Sequence, residues 1–187
     1  MNDLPALEFK IATEDWEFER IHELNYRTFV EEIPQHQPSA ACRLVDKFHA
    51  ENTYLIALHG RQLAGMMAVR DKRPFSLDQK LPDLDAYLPP CRSVCEIRLL
   101  AIEPEFRNGP VFYGLSTLLW QHAQSKGYDL AVISGTTRQT RLYRRGGFTP
   151  FGPLVGTAEA PYQPMFLTLE TIAPKVNDLL RLRPSQT

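Results

Sequence analysis

Three short segments of the sequence carry residue types that could do chemistry. Residues 94–102 form a nearly continuous apolar run that contains only two charges, Glu96 and Arg98. A basic turn with Arg107, Asn108 and Gly109 follows, and it leads into an apolar helical pattern. Residues 142–148 read Leu-Tyr-Arg-Arg-Gly-Gly-Phe and include Tyr143. These types could bind an anion, accept a proton and protonate a leaving group.

The basic turn has the composition of an anion site. Pro110 suits the first helical position, where a missing N–H costs nothing. The free N–H groups of the first turn and the guanidinium of Arg107 can bind a phosphate group. An arginine in such a turn can equally be a solvated side chain. Taken alone, Arg107 fits both interpretations.

Tyr143 lies near the end of a short predicted helix that Gly146 and Gly147 terminate. Its phenol could protonate a departing thiolate, which is a good leaving group and needs only a weak acid. The alternative is a ring that packs against its neighbours while the hydroxyl stays in water. The sequence alone leaves both open.

Glu96 and Arg98 are two residues apart on a predicted strand, so their side chains share one face. Charges within an apolar run are costly unless they are paired. The two residues are therefore either a buried ion pair or a site in which Glu96 accepts a proton from a substrate ammonium, directly or through water.

The composition is that of an ordinary globular protein and predicts one domain over residues 1–187. The chain is 43% hydrophobic and 23% charged, and its net charge of −1 argues against general nucleic-acid binding. Three cysteines form no disulfide framework, and no metal-ligand spacing appears among the cysteines and five histidines. With no signal segment and no membrane-length apolar run, these features predict a cytoplasmic protein without a metal or a membrane span.

The hydrophobic periodicities predict an α/β fold with a central mixed sheet of about seven strands flanked by helices. The predicted core covers about residues 7–170, followed by a closing helix and tail over 171–187. Thr13 is the predicted N-cap of the first helix. The predicted strands span 7–12, 53–59, 62–69, 94–102, 128–134, 148–151 and 163–170, and the predicted helices span 13–32, 43–49, 111–126, 138–145 and 171–182. Gly60 and Arg61 form the predicted turn of a hairpin, Gly127 is the predicted end of the helix at 111–126, and residues 70–90 are predicted to be a polar, proline-rich connection.

The basic turn and the tyrosine segment together resemble the acyl-donor half of the GNAT (N-acetyltransferase-like) acyltransferases. In that family a loop after the fourth strand binds the donor's pyrophosphate, and a later Leu-Tyr…Gly-Phe segment supplies the general acid. The resemblance places Arg107 in the loop and Tyr143 as the acid. Two glycines of the family's loop fall at Pro110 and Phe112 here, which departs from the usual coenzyme A loop.

With this altered loop the chain resembles a subgroup of GNAT-like enzymes, the acyl-homoserine-lactone synthases and N-acyl amino acid synthases. These enzymes commonly take the acyl chain from an acyl carrier protein. Residues 26–32 (Tyr-Arg-Thr-Phe-Val-Glu-Glu) resemble the N-terminal Arg…Val-Phe segment of these synthases. Residues 44–48 (Leu-Val-Asp-Lys-Phe) resemble their aspartate-bearing segment before the second strand. Residues 96–99 (Glu-Ile-Arg-Leu) resemble their Glu-x-x-Arg strand, with the arginine one position early. The tryptophan that those synthases carry after the first helix is absent.

The resemblance implies transfer of an acyl group from a thioester to a primary amine such as an amino acid. It implies no tightly bound cofactor, with acyl-CoA or acyl-phosphopantetheine as co-substrate, a small-molecule amine acceptor, and an acyl carrier protein as a possible partner. Glu96 and Tyr143 would be catalytic. The residues that would line the substrate pocket are Arg27, Phe29, Asp46 and Arg98. The residues that would bind the acyl donor are Leu100, Ala101, Ile102, Arg107, Asn108, Gly109 and Thr136.

The sequence also permits non-catalytic roles for these residues and for the whole chain. Arg27 and Asp46 can be surface charges or members of a helix-to-loop salt bridge, and Thr136 can be a loop hydroxyl or a helix cap. For the whole chain, one alternative is a non-catalytic GNAT-like module that binds an acyl donor or a partner protein. Another is an unrelated mixed α/β domain.

Overall fold

The computed structural model describes residues 6–107, 109–158 and 160–168, and it contains eight strands and three α-helices in that part of the chain. Short 3₁₀ turns and one π-helical segment, Arg27–Glu32, connect them. In chain order the elements are β1 (Leu7–Ile11), α1 (Asp15–Tyr26), β2 (Thr53–His59), β3 (Gln62–Arg70), β4 (Val94–Ile102), α2 (Pro110–Lys126), β5 (Leu130–Thr136), α3 (Thr140–Gly146), β6 (Thr149–Pro150), β7 (Val155–Gly156) and β8 (Pro161–Thr168).

The strands form one mixed sheet in the order β1-β2-β3-β4-β5-β8-β6, with β7 pairing to β8. β4 and β5 pair in parallel, from Val94 opposite Leu130 to Glu96 opposite Val132. The pairs β1–β2, β2–β3 and β5–β8 are antiparallel. The predicted mixed α/β class is confirmed. The additional strand is β7, which has two residues and therefore no periodicity to reveal it.

The chain packs as two compact units. The first takes residues up to Val69 together with Arg98–Leu119, and the second takes Arg70–Ile97 together with the chain from Trp120 onward. In the first unit the core includes buried apolar residues of α1 and the β2–β3 hairpin, among them Ile21, Leu24, Ile56 and Met66. The prediction of a single domain stays a prediction.

The core of the second unit contains a segment that the sequence predicted as a polar connection. Phe75 and Leu77 are completely buried, and Leu81 and Leu84 are nearly so. They form one apolar cluster with Val132 and Val155. The loop between β3 and β4 is therefore part of the folded core. None of the helices in the described ranges is long and apolar enough to cross a membrane.

The first helix begins one residue later than predicted. Its N-cap is Glu14 rather than Thr13, because the Glu17 carboxylate accepts hydrogen bonds from the backbone N–H of both residues, at 2.8 and 3.1 Å. The helix then continues to Glu32 as the π-helical segment, in which the Ile33 N–H donates to the Thr28 carbonyl over 2.9 Å. Such π turns are frequent at functional sites.

The predicted helix at 43–49 is wrong. The Phe48 N–H donates to the Asp46 side chain over 3.1 Å, and such a local side-chain bond competes with helix formation. A single 3₁₀ turn, His49–Glu51, follows instead. β5 begins two residues later than predicted and ends two residues later. The predicted closing helix at 171–182, the tail and the last two residues of the final predicted strand lie outside the described residues.

Gly114 provides a test of how α2 packs on β1. A Cβ built at Gly114 would lie 2.0 Å from the ring of Phe9. We therefore expect Gly114→Ala to destabilise the protein by about 1–3 kcal/mol, because the ring or the helix must move. Urea unfolding measures the change. The double variant with Phe9→Leu should recover part of the loss, and strict additivity of the two changes would contradict this packing.

Candidate active site

Tyr143 is held against the backbone of β5. A Cβ built at Gly135 would lie 2.9 Å from the Tyr143 ring, so only glycine allows this approach. The Phe148 ring meets the tyrosine edge-on, with centroids 6.2 Å apart. The hydroxyl donates to Gln139 Oε1 over 3.2 Å. The ring therefore packs against its neighbours, as the non-catalytic interpretation of Tyr143 predicts, and a hydrogen bond orients its hydroxyl.

The phenol is kept in its acid form. Burial raises the pKa of Tyr143, and hydrogen bonds with Thr136 oppose part of that rise. Tyr162 lies opposite Thr136 in the β5–β8 register, and its pKa is raised by burial and by Tyr143. Thr136 stands at the cap position of the 3₁₀ turn Thr137–Gln139, but its side chain makes no capping hydrogen bond. A proton is therefore available at Tyr143 at neutral pH.

Glu96 is completely buried in β4, in the second unit. Its carboxylate accepts hydrogen bonds from Ser76 Oγ (2.6 Å), the Ser76 N–H (2.9 Å) and the Leu77 N–H (3.0 Å). Ser76 was not predicted from the sequence to be a site residue. Twenty residues separate it from Glu96, and a serine in a polar connection carries no local signal. These donors fix the orientation of the carboxylate.

The middle of β4 contains a backbone irregularity. Leu99 has φ +54°, a left-handed conformation that leucine rarely adopts. A non-glycine residue held in this conformation costs about 1–3 kcal/mol. The predicted donor-binding backbone of Leu100, Ala101 and Ile102 comes directly after it. An outlier at this position supports a functional role for these amides.

Arg107 is ion-paired with the π-helical segment. Its guanidinium donates to both carboxylate oxygens of Glu32, over 2.8 and 2.5 Å, and its Nε donates to the Ile102 carbonyl over 2.9 Å. The hydrogen bond with Glu32 raises the pKa of Arg107. This ion pair differs from both interpretations of Arg107 that the sequence allowed, a phosphate ligand and a solvated side chain.

Gly109 leads directly into α2, as predicted. Gly109 has φ +116°, which favours glycine, and its carbonyl accepts a hydrogen bond from the Tyr113 N–H at 3.0 Å. Pro110 is the first residue of the helix. Asn108, the remaining predicted residue of this turn, lies outside the described residues.

Asp46 and Arg98 form a well-buried pair in the first unit. The guanidinium donates to both carboxylate oxygens over 2.7 and 2.9 Å, and it stacks on the Phe48 ring at 4.8 Å. The two side chains are 9% and 11% exposed. Burial alone would raise the pKa of Asp46, but Arg98, Asn52 and the Phe48 N–H together hold it below its ordinary value. The carboxylate is therefore ionised at neutral pH.

A polar network continues from this pair into the core. Asn52 Nδ2 donates to Asp46 over 2.8 Å and to the Tyr54 hydroxyl over 3.2 Å. The hydroxyl also contacts His49 Nδ1 at 3.2 Å, and His49 approaches His22 at 3.5 Å. Burial raises the pKa of Tyr54 to about 12. Burial, together with His49 and Arg43, lowers the pKa of His22. The histidines carried no spacing signal, so this network was not predicted.

The remaining predicted pocket residues lie on the π-helical segment. Arg27, its first residue, is ion-paired with Glu103. Phe29 is buried in the first core. The predicted residues thus divide between the units: Glu96, Thr136 and Tyr143 are in the second, and the described others are in the first. Within the described ranges, no group of three or more His, Cys, Asp or Glu side chains could hold a metal ion.

Solved structures similar to this fold include GNAT-like acyltransferases. A structure of the CoA-dependent acyl-homoserine lactone synthase BjaI, with SAM and isopentyl-CoA, has a TM-score of 0.73 at 20% identity and covers 89% of this chain and 83% of its own. FeeM, an N-acyl amino acid synthase from uncultured soil microbes, has a TM-score of 0.72 at 17% identity, covering 95% and 99%. The acyl-homoserine lactone synthase LasI has a TM-score of 0.72 at 17% identity, covering 88% and 91%.

The sequence carries the family assignment. No curated protein sequence matches the chain significantly. The family model of the N-acyl amino acid synthase FeeM matches residues 20–168, most of the chain. The chain therefore belongs to the FeeM N-acyl amino acid synthase family, and it is an N-acyltransferase.

Proposed function

We propose that this N-acyltransferase moves an acyl group from a thioester directly to the amino group of an amino acid. The observation that carries the proposal is the family-model match over residues 20–168. The proposed donor is an acyl-phosphopantetheine, attached to coenzyme A or to a carrier protein. It acts as a co-substrate that leaves after each turnover.

The proposed reaction needs one proton acceptor and one proton donor. The amine nitrogen attacks the thioester carbonyl carbon, and a C–N bond forms. Glu96 accepts the proton of the amine, directly or through a water. N–H groups of Leu100–Ile102 stabilise the oxyanion, the C–S bond breaks, and the thiolate takes the proton of Tyr143. The products are an N-acyl amino acid and a free thiol.

The residues proposed for the amino acid carry both signs of charge. An amino acid brings a carboxylate and an ammonium, and these match an arginine and an aspartate respectively. Arg98 and Asp46 are fixed by each other, and the Phe48 ring supports the guanidinium. Arg27 and Phe29 complete the proposed acceptor residues. Both charges of the Arg98–Asp46 pair are engaged with each other, so binding of the acceptor requires that its carboxylate and ammonium replace this pair.

Carrier-protein delivery is supported by the charge around α3. Residues 130–158 contain four arginines and no acidic residue, although the whole chain has net charge −1. Arg138, Arg141 and Arg144 are exposed, and the last two lie on the same helix as Tyr143. A positive surface attracts an acidic partner and raises the rate of encounter. We therefore propose that this surface receives an acidic acyl carrier protein.

Charge reversal at Arg141 and Arg144 tests whether an acyl carrier protein delivers the donor to this surface. We expect Arg141→Glu/Arg144→Glu to lower kcat/KM for an acyl carrier protein by about tenfold or more at low salt, because steering is electrostatic. The rate with acyl-CoA should change by less than about threefold. The variant Arg20→Glu/Arg61→Glu carries the same charge change on the first unit and serves as the control. Equal losses with both donors would contradict docking at this surface.

Turnover itself separates the enzyme from a binding module. The purified chain is assayed with acyl-CoA and acyl carrier protein thioesters against a panel of amino acids, and free thiol and product are both followed. We expect acylated amino acid in step with thiol release. A thermal shift with a donor but no turnover with any pair would favour the non-catalytic module.

A further inference from the structure

Two ion pairs of opposite polarity tie the π-helical segment to the turn after β4. At the start of the segment, Arg27 pairs with Glu103. At its end, Glu32 pairs with Arg107 through two parallel hydrogen bonds. All four residues belong to the first unit. The turn that the sequence marked as an anion site therefore already holds an anion, the carboxylate of Glu32.

A carboxylate and a phosphate engage a guanidinium in the same way. Each presents two oxygens to the planar N–H fork of arginine. Glu32 uses that geometry fully, because both of its oxygens are within 2.8 Å of Arg107. A phosphate that binds Arg107 in the bidentate mode must therefore displace Glu32. The third bond of the guanidinium, from Nε to the Ile102 carbonyl, can stay in place during this exchange.

We propose that Glu32 is a specificity-determining residue, an internal anion that competes with the phosphate of the acyl donor for Arg107. The inference rests on the proposed thioester donor and deepens it. Donors with further anchoring contacts overcome the competition, whereas donors that depend on the phosphate contact bind weakly. Glu32 thereby selects among donors without touching the acyl chain or the amine.

The solvent exposure of the Arg107–Glu32 pair makes this exchange of anions feasible. The side chains of Arg107 and Glu32 are 41% and 46% exposed, so water screens the interaction and the pair is weak. The pyrophosphate bridge of coenzyme A carries two negative charges against one on a carboxylate, so it can replace Glu32, whereas the phosphodiester of a carrier protein's phosphopantetheine carries only one. When Glu32 is released, the Arg27–Glu103 pair still holds the beginning of the segment. The competition is therefore expected to change donor affinity by about three- to fivefold.

The test compares two neighbouring glutamates of the π-helical segment. Glu32→Gln removes the competing charge and keeps the size of the side chain. Glu31→Gln makes the same change at an adjacent exposed position. For each variant, KM is measured with acyl-CoA and with acyl-pantetheine, which lacks phosphate. Binding of inorganic pyrophosphate is measured by titration without turnover.

We expect Glu32→Gln to lower the KM for acyl-CoA and the Kd for pyrophosphate by about three- to fivefold. The KM for acyl-pantetheine should stay the same, and Glu31→Gln should change none of these values. Adding Arg107→Gln should abolish the difference that Glu32→Gln makes. An equal change for both thioesters, an effect of Glu31→Gln as large, or weaker pyrophosphate binding in Glu32→Gln would overturn the proposal.

The outcomes also separate this inference from the proposed function. If no thioester is turned over but pyrophosphate binds more tightly to Glu32→Gln, the competition stands and the proposed reaction fails. If turnover occurs and Glu32→Gln behaves like Glu31→Gln, the reaction stands and the role of Glu32 is refuted.

Discussion

Replacement of Tyr143 by phenylalanine is expected to lower kcat by about 100-fold or more, the scale of a lost general acid. The free energy of unfolding should change by less than about 1 kcal/mol, since the ring keeps its contacts with Gly135 and Phe148 and loses only its hydroxyl bonds. Steady-state kinetics and urea unfolding measure the two effects.

Tyr162→Phe is the matched control for this change. It removes the same atom from the residue opposite Thr136, in the same unit. We expect its kcat to stay within about threefold of the unchanged protein, because no acid role is assigned to it. Equal losses in the two variants, or a Tyr143→Phe rate close to that of the unchanged protein, would remove Tyr143 from the mechanism.

The second large effect is expected at Asp46. Asp46→Asn leaves the Arg98 charge with only 11% of its side chain exposed and without its bidentate partner. Breaking one side of a buried pair typically costs about 3–5 kcal/mol, so we expect a loss near the lower end of that range. Asp85→Asn is the matched control. Asp85 is 80% exposed in its pair with Arg73, and its loss should cost less than about 1 kcal/mol.

The pH dependence of this effect has a defined sign. Because the pKa of Asp46 is lower in the folded than in the unfolded chain, its contribution to stability is complete above its unfolded pKa of about 4. The contribution is lost as the pH falls through the folded pKa. The difference in unfolding free energy between the unchanged protein and Asp46→Asn should therefore be constant from about pH 5 to 7 and shrink below about pH 4. A difference that grows towards low pH would contradict the pairing.

Strand bounds and glycine turns were predictable from the sequence, because each depends on residues that are adjacent in the chain. The apolar run of β4 gave correct bounds, 94–102, because a strand buried in the middle of a sheet needs apolar residues on both faces. Gly60 and Gly127 marked a hairpin turn and a helix end correctly, since both have positive φ. The short helix around Tyr143 was predicted for the same reason, because its residues and the glycines that end it are adjacent in sequence.

The partners of the site residues could not be predicted in this way. Arg107 and Glu32 are 75 residues apart, and Arg98 and Asp46 are 52 apart. No periodicity connects such positions, and any exposed acidic residue would have seemed an equal candidate. The burial of Phe75 and Leu77 was missed for a similar reason. Prolines and charges around them indicated a surface loop, whereas packing against the sheet determined their place.

Mass-spectrometric detection of the product tests the proposed transfer of an acyl group to an amino acid. The purified protein is incubated with an acyl thioester carrying a ¹³C-labelled carbonyl and with a mixture of amino acids, and the products are separated and identified by mass spectrometry. We predict a ¹³C-labelled N-acyl amino acid formed in equal amount to the thiol released, and its strong reduction with Tyr143→Phe. Thiol release accompanied by the free carboxylic acid and no N-acyl product, or no reaction with either class of donor, would contradict the proposed transfer.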